Sequence, residues 1–196
     1  MNRKQFIEDQ LRDSAETKIQ TIEACEESIL RSVELILGSL RNRGKLMLCG
    51  NGGSAADAQH LATEMVVRLS HDIERPGIPA LALTTDTSIL TAGGNDIGFE
   101  NVFARQVEAL GNPEDILLAI STSGNSTNIL KALEMAKEKN IKSIGLLGGT
   151  GGKCKDQATI PIIIPSSNTQ RIQDTHITLG HIIIEIVERD LHEKRE

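Results

Sequence analysis

From Lys45 onward the chain alternates short apolar runs with stretches of helical periodicity, and that alternation leaves few architectures open. Lys45–Cys49, Pro79–Leu83, Asp115–Ile120, Ile141–Leu147 and Ala158–Ile164 read as five strands. Ser54–Leu69, Phe99–Leu110 and Ser126–Lys139 read as helices between them, and a last helix runs from about Asn168 to the end. Nearly continuous apolar strands separated by helices predict a five-stranded, mostly parallel sheet with helices on both faces, a doubly wound α/β fold. Ligands of such sheets bind outside the carboxyl ends of the strands. Gly148 to Gly152 reads as a flexible loop.

Ahead of this region, residues 3–43 hold no Pro and a single Gly, with apolar or small residues at Ala15, Ile19, Ile22, Ile29, Val33, Ile36 and Leu40. That spacing predicts one or two amphipathic helices, ended by Arg41, Arg43 and Gly44. A stripe this long either covers the chain's own domain or serves oligomerisation. We divide the chain into an N-terminal helical segment for oligomerisation at 1–43 and the ligand-binding α/β domain at 44–196, together one compact unit.

Composition narrows the ligand. The net charge is −6 without a basic cluster, so a track for nucleic-acid backbone is missing. With no Trp, no Tyr and three Phe there are few rings for stacking bases or neutral sugars. A charged, polar small molecule fits better. Cys25, Cys49 and Cys154 show no paired spacing, which suits core thiols in a reducing compartment. No apolar run approaches the ~20 residues that span a bilayer. The first residues lack the apolar middle of a secretory signal, and the expected location is cytoplasmic.

Two strands are followed by turns suited to an anion. Gly50-Asn51-Gly52-Gly53-Ser54 leads straight into a helix, where small residues let the backbone approach a ligand and unpaired N–H groups face it. The same run serves equally as a tight connection with Ser54 as N-cap. It matches neither the dinucleotide fingerprint nor a P-loop. Ser121-Thr122-Ser123-Gly124-Asn125-Ser126 also enters a helix, and four hydroxyls in six residues exceed what capping needs. Beside the positive end of a helix dipole they predict a phosphate cradle.

His60 and Glu64 lie four apart and share a helix face. On the last helix, Gln173 and His181 fall about 80° apart, whereas His176 and His181 fall about 140° apart and cannot easily face one centre. A lone His181 among Ile182, Ile183 and Ile184 also suits a core histidine. His71 and His192 receive no role. Asn95-Asp96 after Gly93-Gly94 reads as a turn.

The two turns, with Gln59-His60-Leu61-Ala62, Gly94-Asn95-Asp96-Ile97-Gly98-Phe99, Arg105-Gln106-Val107-Glu108-Ala109 and Arg171-Ile172-Gln173, resemble the sugar isomerase (SIS) family over nearly all the chain from about residue 43. Within it they are similar to members acting on seven-carbon sugar phosphates. The resemblance implies an aldose–ketose isomerase that converts sedoheptulose 7-phosphate to D-glycero-D-manno-heptose 7-phosphate through an enediol, for heptose-containing glycans such as lipopolysaccharide core. It implies Glu64 and His181 as catalytic acid and base, and a zinc ion in each subunit held by His60, Glu64, Gln173 and His181. Eight helical residues rise about 12 Å, which is long for Gln173 and His181 to reach one ion from a straight helix. Substrate would be lined by Asn51, Gly52, Gly53, Ser54, Glu64, Asn95, Asp96, Ser121, Thr122, Ser123, Ser126 and Gln173. A homotetramer with active sites between subunits is also implied. Rival readings are an isomerase of another phosphosugar and a non-enzymatic SIS protein that binds the replication initiator DnaA. Glu64 and His181 favour the enzyme over the latter.

Overall fold

A computed structural model describes residues 1–192; the expected helical end at 193–196 lies outside the described residues. Strands β1 (Leu46–Cys49), β2 (Ala80–Ala82), β3 (Ile116–Ser121), β4 (Lys142–Gly148) and β5 (Ile160–Ile164) pair in parallel throughout, in the order β2-β1-β3-β4-β5. Each lies within two residues of its predicted bounds. Alternate side chains feed two cores. Leu46, Leu48, Ile116, Leu118, Ile120, Ile144, Leu146, Ile162 and Ile164 face α1 (Arg3–Arg41), α2 (Gly53–Val66) and α6 (Thr169–His192). Met47, Cys49, Leu117, Ala119 and Leu147 face α4 (Val102–Leu110) and α5 (Thr127–Glu138). Burial on both sides is what makes the strands read as unbroken apolar runs. Each fully buried Leu or Ile contributes roughly 1.5–3 kcal/mol through removal from water.

Strand order reverses direction at β1 and β3, which are neighbours in space although β2 lies between them in sequence. The helix after β1 packs on one face and the helix after β3 on the other, so a crevice opens between their first turns. Sheets of this order bind ligands at that switch point.

The N-terminal segment is one unbroken helix, started by Asn2, whose side-chain oxygen accepts from Lys4 N (3.1 Å) and Gln5 N (3.3 Å). Its second half packs as expected, burying Cys25, Val33, Ile36 and Leu37. The first half does not follow the apolar stripe. There Ser14, Thr17 and Thr21 are buried, while Ile19 and Ile22 remain 59% and 60% exposed alongside Ile7 and Leu11.

Two further expectations are corrected. Asn95-Asp96 ends a helix, α3 (Thr87–Asp96), in place of the predicted turn. Asp86 caps α3 by accepting from Ile89 N (2.9 Å), which offsets part of the roughly 1 kcal/mol that each of Gly93 and Gly94 costs. No residue of α3 is buried, so no apolar periodicity announced it. The helix expected at Phe99 opens as a 3-10 turn over Phe99–Asn101, and α4 starts at Val102. The glycine loop after β4 is fastened to the serine-rich loop, with Cys154 N donating to Gly124 O (2.9 Å) and Lys153 N to Asn125 Oδ1 (3.2 Å).

Candidate active site

The two anion-suited turns meet at the carboxyl edge of the sheet. After β1 the chain turns through Gly52, whose φ of 56° favours glycine, and this residue is the N-cap of α2. Ser54 therefore lies inside the first helical turn and is not the cap. After β3, Ser126 is the N-cap of α5, yet its hydroxyl makes no capping bond. It lies 3.3 Å from the Ser121 hydroxyl, and Ser121 Oγ also accepts from Gly124 N (3.2 Å). Ser123 Oγ accepts from Asn125 N (3.2 Å). The first N–H groups of both helices are thus left without side-chain acceptors, an arrangement that favours an anion. Asn51 and Asn128 exchange reciprocal amide hydrogen bonds of 2.8 Å and hold the two turns together.

The imidazoles and carboxylate expected to move protons gather on the neighbouring helices. His60 Nε2 lies 3.2 Å from Glu64 Oε1 and 2.9 Å from His181 Nε2, with the imidazoles edge to face. Close packing of α6 on α2 produces this meeting. Gly180, beside His181, faces Leu61, beside His60, and a Cβ on residue 180 would come within 2.6 Å of the Leu61 methyl carbons. Among the described residues, His60, Glu64 and His181 form a cluster whose ligand atoms all lie within 4.8 Å of one another. Nε2 of His60 carries at most one proton, which cannot serve Glu64 and His181 together. A cation among the three atoms would satisfy all their lone pairs, and two imidazoles with a carboxylate suit zinc.

Of the four ligands implied by resemblance, these three converge. Gln173 stands two turns earlier on α6, with its Nε2 3.4 Å from both Asp57 carboxylate oxygens and its amide against Gly53. It thus touches the first turns of α2. Asp57 was missed in the sequence. Its spacing from His60 and Glu64, three and seven residues ahead on one helix face, was the available signal. Burial raises its carboxyl above the usual range, opposed by the Gln173 amide and the nearby His60 and His181.

Asn95 and Asp96 pair with each other (2.7 Å) at the end of α3. His176 is fully buried, its Nε2 3.0 Å from Leu147 O, and burial lowers its pKa to about 4. It serves β4, in keeping with the wide angle expected between His176 and His181.

A hydroxyl-rich turn thus borders the start of α2, and the same helix carries two members of the His–Glu–His cluster, as in a phosphosugar-handling α/β domain. A model of the SIS domain matches residues 10–148, and the chain belongs to that family. Among its relatives are phosphoheptose isomerases. One from Pelodictyon phaeoclathratiforme is 50% identical over 179 residues, 91% of this chain and 85% of the relative. The structure of phosphoheptose isomerase GmhA from Neisseria gonorrhoeae is 40% identical with a TM-score of 0.89, covering 95% of this chain and 98% of that one. That of a phosphoheptose isomerase from Francisella tularensis is 38% identical with a TM-score of 0.91, covering 96% and 100%.

Proposed function

We propose that the chain converts sedoheptulose 7-phosphate to D-glycero-D-manno-heptose 7-phosphate, an aldose–ketose isomerisation that supplies heptose for glycans such as lipopolysaccharide core. The observation that carries this reading is a hydroxyl-rich turn bordering the start of α2, the helix that brings His60 and Glu64 to His181, in a chain about half identical to phosphoheptose isomerases.

Ser54, Ser121, Ser123 and Ser126, helped by Thr122 and the turn Asn51–Gly53, hold the 7-phosphate. The energy of that contact fixes C1 and C2 of the open-chain ketose beside Glu64. Glu64 removes a proton from C1 to form the enediol and returns one to C2. A single carboxylate serves both carbons when the intermediate is held still. His181 moves the proton between O1 and O2, since an imidazole both gives and accepts protons. His60 orients the Glu64 carboxylate, and Gln173, Asn95 and Asp96 line the sugar. Zinc held by His60, Glu64 and His181 would polarise the carbonyl and stabilise negative charge on the enediolate.

We further place the enzyme in the cytoplasm as a homotetramer with sites between subunits. In support, no helix among the described residues is long and apolar enough to cross a membrane. Exposed Ile7, Leu11, Ile19 and Ile22 on α1 and Ile182 on α6 give an apolar surface for assembly, around a groove of about 290 Å³ between the two helices. Assay against a panel of sedoheptulose, arabinose and amino-sugar phosphates tests the substrate. Preference for the seven-carbon ketose is expected, and turnover of another member alone would reassign it.

A further inference from the structure

Resting on the isomerase reading above, we propose that the buried pair Arg75–Glu188 is a positioning clamp that sets the distance between Glu64 and His181. Arg75 Nε donates to Glu188 Oε1 at 2.6 Å, and neither side chain has any exposure. The pair lies outside the His60–Glu64–His181 cluster.

The contacts of the guanidinium show its purpose. Nη2 donates to the backbone carbonyl of Glu64 (2.8 Å), and Nη1 to those of Met65 and Pro76 (2.9 Å each). Arg75 therefore occupies the C-terminal carbonyls of α2, where a cation is favoured, and one of them belongs to Glu64 itself. Glu188 answers from α6, accepting also from Leu69 N (3.2 Å) and Ser70 N (2.9 Å) in the segment that follows α2. It is seven residues beyond His181, two helical turns, and so on nearly the same face. One charged contact thus ties the backbone of Glu64 to the helix that carries His181. A pair this deep is weak support for stability alone, because apolar side chains of similar volume often replace such pairs without loss. Its geometry instead specifies the lateral and axial register of α2 against α6.

The test uses Arg75→Lys, Arg75→Met and Arg75→Met with Glu188→Leu, each measured for folding by thermal melt and for kcat and KM with sedoheptulose 7-phosphate. Single loss of Arg75 leaves a buried charge, so the double variant is the decisive one. In that folded double variant kcat is expected to fall on the order of 10- to 100-fold with KM little changed, because Ser121, Ser123 and Ser126 of the cradle sit after β3 and Ser54 sits at the far end of α2 from Arg75. Arg75→Lys, with three donors for four acceptors, is expected to fall between. Cobalt(II) titration of the same proteins reads the His60–Glu64–His181 geometry without turnover, and weaker or altered visible bands are expected in the double variant. A folded double variant with kcat within about twofold of wild type and an unaltered cobalt spectrum would overturn the clamp. An inactive wild type would defeat the isomerase reading, and the cobalt comparison would then decide the clamp alone.

Discussion

The two halves of the site are built on opposite plans. The cradle at 121–126 is made by consecutive residues at one strand-to-helix turn, and its internal hydrogen bonds span two to five positions. The His60–Glu64–His181 cluster joins helices whose contacting imidazoles are 121 positions apart. A local turn keeps its geometry through its own backbone, whereas a cluster between helices keeps it only while the helices stay in register. The binding half should therefore tolerate distant changes, and the reacting half should not.

The largest expected break in that contrast is His181→Asn, which should lower kcat by roughly 10²–10⁴-fold with little change in KM, read by steady-state assay. Next comes acidification. His176 is buried neutral with its pKa lowered to about 4 from 6.5, so the unfolded chain binds more protons between those values. Stability should be full above pH 6.5 and fall as pH drops toward 4, by on the order of 3 kcal/mol, measured by urea melts across that range. His176→Gln should flatten the dependence.

Ser121→Ala removes a hydroxyl from the cradle without disturbing the helices. A hydrogen bond to a charged group contributes about 1.5–3 kcal/mol, so kcat/KM should fall by about 10- to 100-fold with part of the loss in kcat. The smallest expected effect is Gly180→Ala. Its methyl presses on Leu61 and costs about 1–3 kcal/mol of stability, yet the added loss in kcat should exceed any change in phosphate affinity, which equilibrium titration with a substrate analogue would separate.

The same difference in construction explains what the sequence revealed. Strands were legible because burial on both faces leaves unbroken apolar runs, as in Ile116–Ile120. The serine-rich strand-to-helix turn was legible because hydroxyl density within one turn is visible in one dimension. The pairing of His60 with Glu64 followed from helical spacing, but the approach of His181 depends on Gly180 against Leu61, which no periodicity reports. Gln173 was expected as a metal ligand and meets Asp57, an acid that sat unremarked on α2 three residues ahead of His60. The α3 helix escaped notice because it buries nothing. In the first half of α1, hydroxyl residues pack inward and isoleucines face out, the reverse of what an apolar stripe implies for a chain read alone.

One measurement tests the division of labour most directly. Purified protein and its Glu64→Gln variant, each replete with metal, are incubated with sedoheptulose 7-phosphate in deuterated buffer and followed by NMR. The expected result is aldose formation with deuterium at C2 in the wild type, and loss of both in a folded variant that still binds the substrate. Turnover by folded Glu64→Gln within about tenfold of wild type would contradict the role assigned to this carboxylate.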